Sequence, residues 1–91
     1  MKRYVIERAI PGVDRLDRVQ LQGAACTSNA ALSRLAPRVQ WIQSFVAKDK
    51  TFCVYLAEDE AVIREHARIS GFPADRITEI TGMIDPTTAQ A

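Results

Sequence analysis

The chain has 91 residues, of which 47% are hydrophobic and 25% are charged. This length fits one domain and excludes two, and the composition is that of a globular protein rather than a disordered chain. The formal net charge of +1 argues against a dedicated nucleic-acid-binding protein, which concentrates positive charge on one surface. The sequence therefore predicts a single domain over residues 1–86 and a short tail over residues 87–91.

The two cysteines, Cys26 and Cys53, are too few for a disulfide scaffold, and no CxxC or Cys/His cluster indicates a structural zinc site. Charged residues interrupt the segment after Met1, so we expect no signal peptide, and no apolar run is long enough to cross a membrane. We therefore expect a cytoplasmic protein with reduced thiols and with no membrane or nucleic-acid partner.

The first half of the chain predicts a strand, a helix and a second strand. Residues 4–9 are β-prone and lead into the turn signal Pro11-Gly12. Asp14 is a candidate N-cap for a helix that continues to about Leu35. Residues 39–46 form the second predicted strand, with apolar side chains on both of its rows, which indicates cover on both faces. The apolar stripe predicted for the helix consists of Leu16, Val19, Gly23, Cys26 and Ala30.

The second half predicts a strand, a helix and a strand. Residues 51–57 follow a short polar connection, so the second and third strands are expected to pair as an antiparallel hairpin. A helix begins near Glu58 or Asp59 and ends at Gly71, and residues 76–84 form the last strand. The stripe predicted for this helix consists of Val62, Ile63, His66 and Ile69.

This order of elements is the ferredoxin-like βαββαβ plan, an α+β fold with a four-stranded antiparallel sheet. Right-handed crossovers place strands one and three in the centre, with both helices on one face of the sheet. We expect Cys53 and Tyr55 on the other, open face, with either the row of Trp41 and Phe45 or that of Ile42 and Val46. An apolar open face predicts a homodimer in which two sheets close a dimeric α/β barrel.

Several blocks of the sequence resemble a known family over nearly the whole chain. They are residues 4–8, 11–12, 39–46, 51–55, 65–67, 71–78 and 84–87. Together they are similar to the small proteins grouped as domain of unknown function 4242, which are often labelled nickel-binding-protein-like. The resemblance implies a ferredoxin-like dimeric α/β barrel and, for some members, the binding of nickel.

Three residues are candidate metal ligands. His66 is the only histidine, and a neutral imidazole is a natural ligand for nickel or another divalent transition metal. Its alternative role is a partly buried imidazole bonded to the backbone. Cys53 would bind a metal as a thiolate, or is a small apolar thiol in the core. Glu7 lies in mid-strand, where a carboxylate must pair, protonate or bind a cation.

The expected faces give these candidates two locations. Glu7, Cys53 and Tyr55 are expected to converge on the open face, inside the dimer barrel, whereas His66 belongs to a helix on the opposite face. A dimer also offers a way to bring His66 near residues of its partner. The residues that we expect to line a pocket are Tyr55, Trp41, Ser44 and Glu79.

The leading functional hypothesis is a homodimer that binds or sequesters a divalent transition metal, which the resemblance implies is nickel. The second is a cofactor-independent enzyme, oxygenase-like or isomerase-like, that takes a small-molecule ligand into a cavity of the barrel and uses Glu7, Tyr55 or His66 as acid or base. The third is a structural or regulatory interaction module. The sequence contains no Gly-rich phosphate loop, nucleophile elbow or His-x-x-x-His pair.

Overall fold

The computed structural model describes residues 1–90. Four strands and two α-helices alternate in the predicted order. The strands join in one antiparallel sheet with the order β2-β3-β1-β4, which confirms the ferredoxin-like plan with strands one and three in the centre. The elements are β1 (Lys2–Ala9), α1 (Arg18–Leu35), β2 (Val39–Ala47), β3 (Lys50–Ala57), α2 (Glu60–Ser70) and β4 (Arg76–Ile80).

The two central strands assign every side chain of the sheet to one of two faces. In β1 and β3, buried residues alternate with half-buried ones, and directly opposed residues share a face. The buried rows face the helices and consist of Tyr4, Ile6, Arg8, Thr51, Cys53, Tyr55 and Ala57. We call the other surface of the sheet the open face; it consists of Arg3, Val5, Glu7, Gln40, Gln43, Phe45, Phe52, Val54, Leu56, Arg76, Thr78 and Ile80.

A β-bulge interrupts the pairing of β2 with β3 between Trp41 and Gln43. Trp41 lies opposite Tyr55, and Ser44, three residues later, lies opposite Cys53. Both side chains therefore point toward the helices, and the indole Nε1 of Trp41 donates a hydrogen bond to Ser44 Oγ at 2.9 Å. Phe45 lies on the open face instead. Trp41 and Phe45, which regular alternation would place in the same row, therefore lie on opposite faces of the sheet. The cause is the bulge, which adds one residue to β2 and none to β3.

The first helix begins later than predicted and buries a different stripe. Residues 13–15 form a separate 3-10 turn, and Asp17 is the N-cap in place of Asp14. Asp17 and Gln20 form a capping box, in which each side chain accepts a hydrogen bond from the backbone N–H of the other residue. The prediction that Cys26 belongs to the core is wrong, because Cys26 is exposed. The buried residues of α1 are Ser28, Ala31 and Leu35.

The second helix follows its prediction closely. Asp59 caps its first turn by accepting a hydrogen bond from the N–H of Val62 at 2.9 Å. Val62, Ile63 and His66 are buried, and Ile69 packs against the core. The predicted stripe is confirmed because the apolar positions of this helix occur on one side only.

The last strand ends at Ile80, earlier than the predicted residue 84. Among the described strands it pairs with β1 alone, and Ile80 pairs with Arg3 next to the start of that strand. Only Lys2 and Met1 lie beyond this pair on the β1 side, so little backbone is left there for a longer β4 to bond with. Residues 86–89 form an exposed 3-10 turn, and Ala91, the end of the predicted tail, lies outside the described residues. Neither helix within residues 1–90 has both the length and the apolar run that a bilayer-spanning segment needs.

Two glycine substitutions should have opposite effects on stability. Gly71 ends α2 with φ +81°, so Gly71→Ala forces a side chain into left-handed backbone and should lower the free energy of unfolding by about 1 kcal/mol. Gly23 lies within α1, and an added Cβ meets no atom within 4 Å apart from its chain neighbours and the helix's own backbone, so Gly23→Ala should raise the free energy of unfolding by up to about 1 kcal/mol. Urea denaturation measures both, and equal shifts of the same sign would contradict this account of the two helices.

Candidate functional site

The structure places Cys53 and Tyr55 on the helix side of the sheet, so their predicted position on the open face is wrong. Cys53 lies opposite Ile6, and Tyr55 lies opposite Tyr4; all four residues are buried under the helices. The row of β3 that does face outward contains Phe52, Val54 and Leu56. The alternation in the sequence divides β3 into two rows of side chains. Because both rows are apolar enough to pack under helices, the alternation does not decide which row faces them.

His66 is fully buried, at 0% exposure, between α1 and the sheet. Its Nε2 lies 3.2 Å from Ser28 Oγ, and its ring centroid lies 5.3 Å from that of Tyr55. Nδ1 has no hydrogen-bond partner within the described residues. Burial lowers the pKa of His66 below its ordinary value, and the positive charge of Arg8 lowers it further. The imidazole is therefore neutral at pH 7.

The predicted metal ligands do not come together in one chain. Cys53 is buried, and its Sγ contacts Thr51 Oγ1 at 3.5 Å, whereas Glu7 lies on the open face with its carboxylate 3.9 Å from the Arg76 guanidinium. The sheet thus separates Glu7 from both Cys53 and His66. Across residues 1–90, no three His, Cys, Asp or Glu side chains are grouped closely enough to hold a metal ion. The side chains of a single copy therefore do not fit a nickel site.

A cavity of about 320 Å³ lies between the N-terminal half of α1 and the helix side of the sheet. Of the four predicted pocket residues, Tyr55, Trp41 and Ser44 line it. Glu79 does not; it is exposed, and its carboxylate lies 3.9 Å from Lys2 Nζ. Three of the four residues expected around a cavity inside a dimer barrel thus line a cavity within one chain, on the opposite face of the sheet.

Among residues 1–90, Arg8 is the only charged residue that lines this cavity, and it is 2% exposed. Its guanidinium donates to the carbonyl oxygens of Pro73 at 2.7 Å and Phe72 at 3.5 Å, and to Tyr55 Oη at 3.5 Å. Burial raises the pKa of Tyr55, so the phenol keeps its proton at neutral pH. The side chains of Arg8, Tyr55, Ser28 and His66 therefore form one connected polar group inside an apolar layer.

Two members of this group, Arg8 and Ser28, were not among the predicted site residues. The signal for Arg8 was present in the sequence, because it occupies the same strand row as Tyr4 and Ile6, where an arginine is unusual. Ser28 carried no such signal, because a serine in the middle of a helix is usually exposed and the apolar stripe predicted for this helix did not include it.

The fold and this buried site define a ferredoxin-like α+β protein, and comparison with solved structures agrees. The chain is similar to SCO4226 from Streptomyces coelicolor A3(2), a protein of known crystal structure, with a TM-score of 0.70 and 23% identity over 90% of this chain and 99% of that chain. No curated protein matches the chain.

A family model matches residues 4–80, and its description is "Nickel responsive protein SCO4226-like". The chain belongs to this SCO4226-like family. The membership is consistent with the resemblance to domain of unknown function 4242 that the sequence blocks indicate.

The buried His66 should make stability depend on pH. The unfolded chain binds a proton near the ordinary histidine value of 6.5, and the folded chain does so only at lower pH. The unfolded state therefore holds more protons in this window. The free energy of unfolding should fall as pH is lowered from 7.5 toward 5.5, with a limiting slope of about 1.4 kcal/mol per pH unit.

Urea denaturation at several pH values measures this slope, and the variant His66→Gln is the control. The variant is expected to be less stable at pH 7.5 and to have a flatter pH profile in this window. A variant with the same slope as the wild-type chain would show that another group causes the dependence.

Proposed function

We propose that this protein is a nickel-binding member of the SCO4226-like family that works as a homodimer joined through the open faces of two sheets. Family membership supports the nickel part, since the family is described as nickel responsive. The observation that carries the dimer is the open face itself. It presents a continuous group of apolar side chains, namely Val5, Phe45, Phe52, Val54, Leu56 and Ile80.

The apolar side chains of the open face need a cover. Phe45 is 54% exposed, and the apolar residues of β1 and β3 on this face are half-buried. Contiguous exposed apolar surface marks an interaction site in a globular protein. No helix of the described chain covers this face, because both helices pack on the other side of the sheet.

A second copy of this chain fits the open face better than an unrelated partner. The face carries the acid Glu7 and the bases Arg3 and Arg76 around its apolar residues. In a two-fold interface the same surface meets itself, so each acid can approach a base of the other copy. A surface with both signs of charge is therefore able to complement itself.

Nickel binding by this protein then requires more than one copy of the chain. One copy does not group three candidate ligands among its described residues. Of the three predicted ligands, only Glu7 lies on the open face, where a partner would add further side chains. His66 and Cys53 are enclosed on the helix side, where each already has a contact within its own chain. We therefore assign these two residues to the core.

The dimer is tested with the variant Val54→Glu, which places a charge in the middle of the open face. Untagged wild-type protein should have the dimer mass in light scattering at micromolar concentration, and the variant should have the monomer mass because an unpaired buried charge is costly. Val19→Glu makes the same change at an α1 position that is 75% exposed, and it should remain a dimer. A monomer mass for wild-type protein would rule out this interface.

The nickel part is tested by calorimetric titration of the same untagged proteins. Wild-type protein and Val19→Glu are expected to bind nickel with micromolar or tighter affinity, whereas the monomeric Val54→Glu is expected to have lost this binding. Wild-type protein that binds no tighter than millimolar would refute the nickel proposal. Equal binding by Val54→Glu would show that one copy is sufficient.

A matched pair of carboxylate variants tests Glu7. Glu7→Gln should weaken nickel binding by about tenfold or more, by removal of a charged ligand. Glu79→Gln changes a strand carboxylate on the other face and should leave the affinity unchanged. If the two variants bind alike, the nickel ligands lie elsewhere than at Glu7.

A further inference from the structure

We infer that the cavity between α1 and the sheet binds a small apolar molecule with one carboxylate, whose charged end pairs with the guanidinium of Arg8. This binding is independent of the proposed nickel function. The cavity and the open face lie on opposite sides of the sheet, so each can be tested without the other.

The size and lining of the cavity indicate an apolar ligand. Its volume of about 320 Å³ is within the range of small-molecule pockets. A dry cavity of about 150 Å³ holds benzene, so this one has room for a body of roughly ten carbon atoms. Most of its wall is apolar, with Leu16, Leu21 and Ala25 on one side and Trp41 and Val46 on the other.

The positive charge of Arg8 indicates that the ligand carries a negative charge. It is buried, and no carboxylate of the described residues lies within ion-pair distance of it. Its three hydrogen-bond acceptors are neutral oxygens, from Pro73, Phe72 and Tyr55. A guanidinium has five N–H donors, so donors remain for a ligand. A buried charge without a counter-ion is costly, and an anion in the cavity would remove that cost.

A carboxylate fits this site better than a phosphate group. Of the described residues in the lining, Arg8 alone has a charged side chain, and one cation matches a monoanion. A guanidinium also bonds a carboxylate through two parallel N–H···O contacts. The protonated hydroxyl of Tyr55, next to Arg8, offers one more donor to the same group.

The first experiment compares octanoate with 1-octanol, which has the same chain length and no charge. Trp41 is the only tryptophan of the chain and lines the cavity, so its fluorescence reports binding directly. Wild-type protein should bind octanoate with sub-millimolar affinity and 1-octanol about tenfold or more weakly, because only octanoate pairs with the guanidinium. Equal affinities, or no response to millimolar octanoate, would overturn the inference.

Two single variants of α1 test whether octanoate binds in the cavity. Ala25 lines the cavity from α1, so Ala25→Leu should fill it and weaken octanoate binding by about tenfold. Ala30→Leu makes the same change at an exposed position of α1 and should leave binding unchanged. If both variants bind octanoate like wild-type protein, the ligand lies on another surface and the inference is wrong.

Arg8→Met tests the guanidinium. It keeps much of the length of the side chain and removes the charge, so the preference for octanoate over 1-octanol should disappear. Circular dichroism and urea denaturation establish that the variant is folded, since Arg8 also bonds the Phe72–Pro73 loop. If Arg8→Met does not fold, the comparison of Ala25→Leu with Ala30→Leu still decides the matter. A folded Arg8→Met that keeps the preference would show that Arg8 only holds that loop.

Discussion

The pairing of β1 with β3 is the constraint on which the rest of the structure depends. Its register, from Lys2 opposite Ala57 to Ala9 opposite Lys50, decides which side chain of each central strand faces the helices. A shift of one strand by one residue against the other would move each of its side chains to the opposite face of the sheet. The register therefore places Arg8, Cys53 and Tyr55 in the helix layer and leaves Glu7 with the apolar residues of the open face. The two proposals follow from this division. The dimer with its nickel site uses the open face, and the carboxylate ligand binds on the helix side.

The helix layer contains a cation and a neutral base in contact with the same tyrosine. Arg8 lies with its guanidinium carbon 5.9 Å from the centroid of the Tyr55 ring, and His66 packs on that ring as well. The charge of Arg8 disfavours a second positive charge nearby, which helps to keep His66 unprotonated. The same arrangement would oppose a metal cation at His66 and favour an anion. The electrostatics of this layer therefore agree with an anionic ligand in the cavity and with a nickel site elsewhere.

Much of the fold could be predicted from the sequence because hydrophobic periodicity and turn residues mark most of its elements. The helix α2 and its buried His66 follow from such local signals, and the strand order follows from the sequence of elements together with right-handed crossovers. The faces of β3 could not be assigned, because both of its rows are apolar and only the pairing with β1 distinguishes them. The bulge in β2 leaves no local signal either, so the side on which Trp41 and Ser44 meet was not predictable. The position of Arg8 was visible as a charged residue in an apolar row, but its cavity depends on how α1 packs.

The bulge in β2 has a consequence for the cavity itself. If β2 continued regularly from Trp41, Phe45 would lie opposite Thr51 and Ser44 would move to the open face. Gln43 would then replace Ser44 opposite Cys53, and Phe45 would replace Val46 opposite Thr51, so that a larger side chain would project into the cavity at each position. Ile42, the residue left out of the pairing by the bulge, thus keeps larger side chains out of the cavity. The presence or absence of this one bulge residue in the edge strand of a homologous chain should therefore predict whether that chain has room for a ligand between its first helix and its sheet.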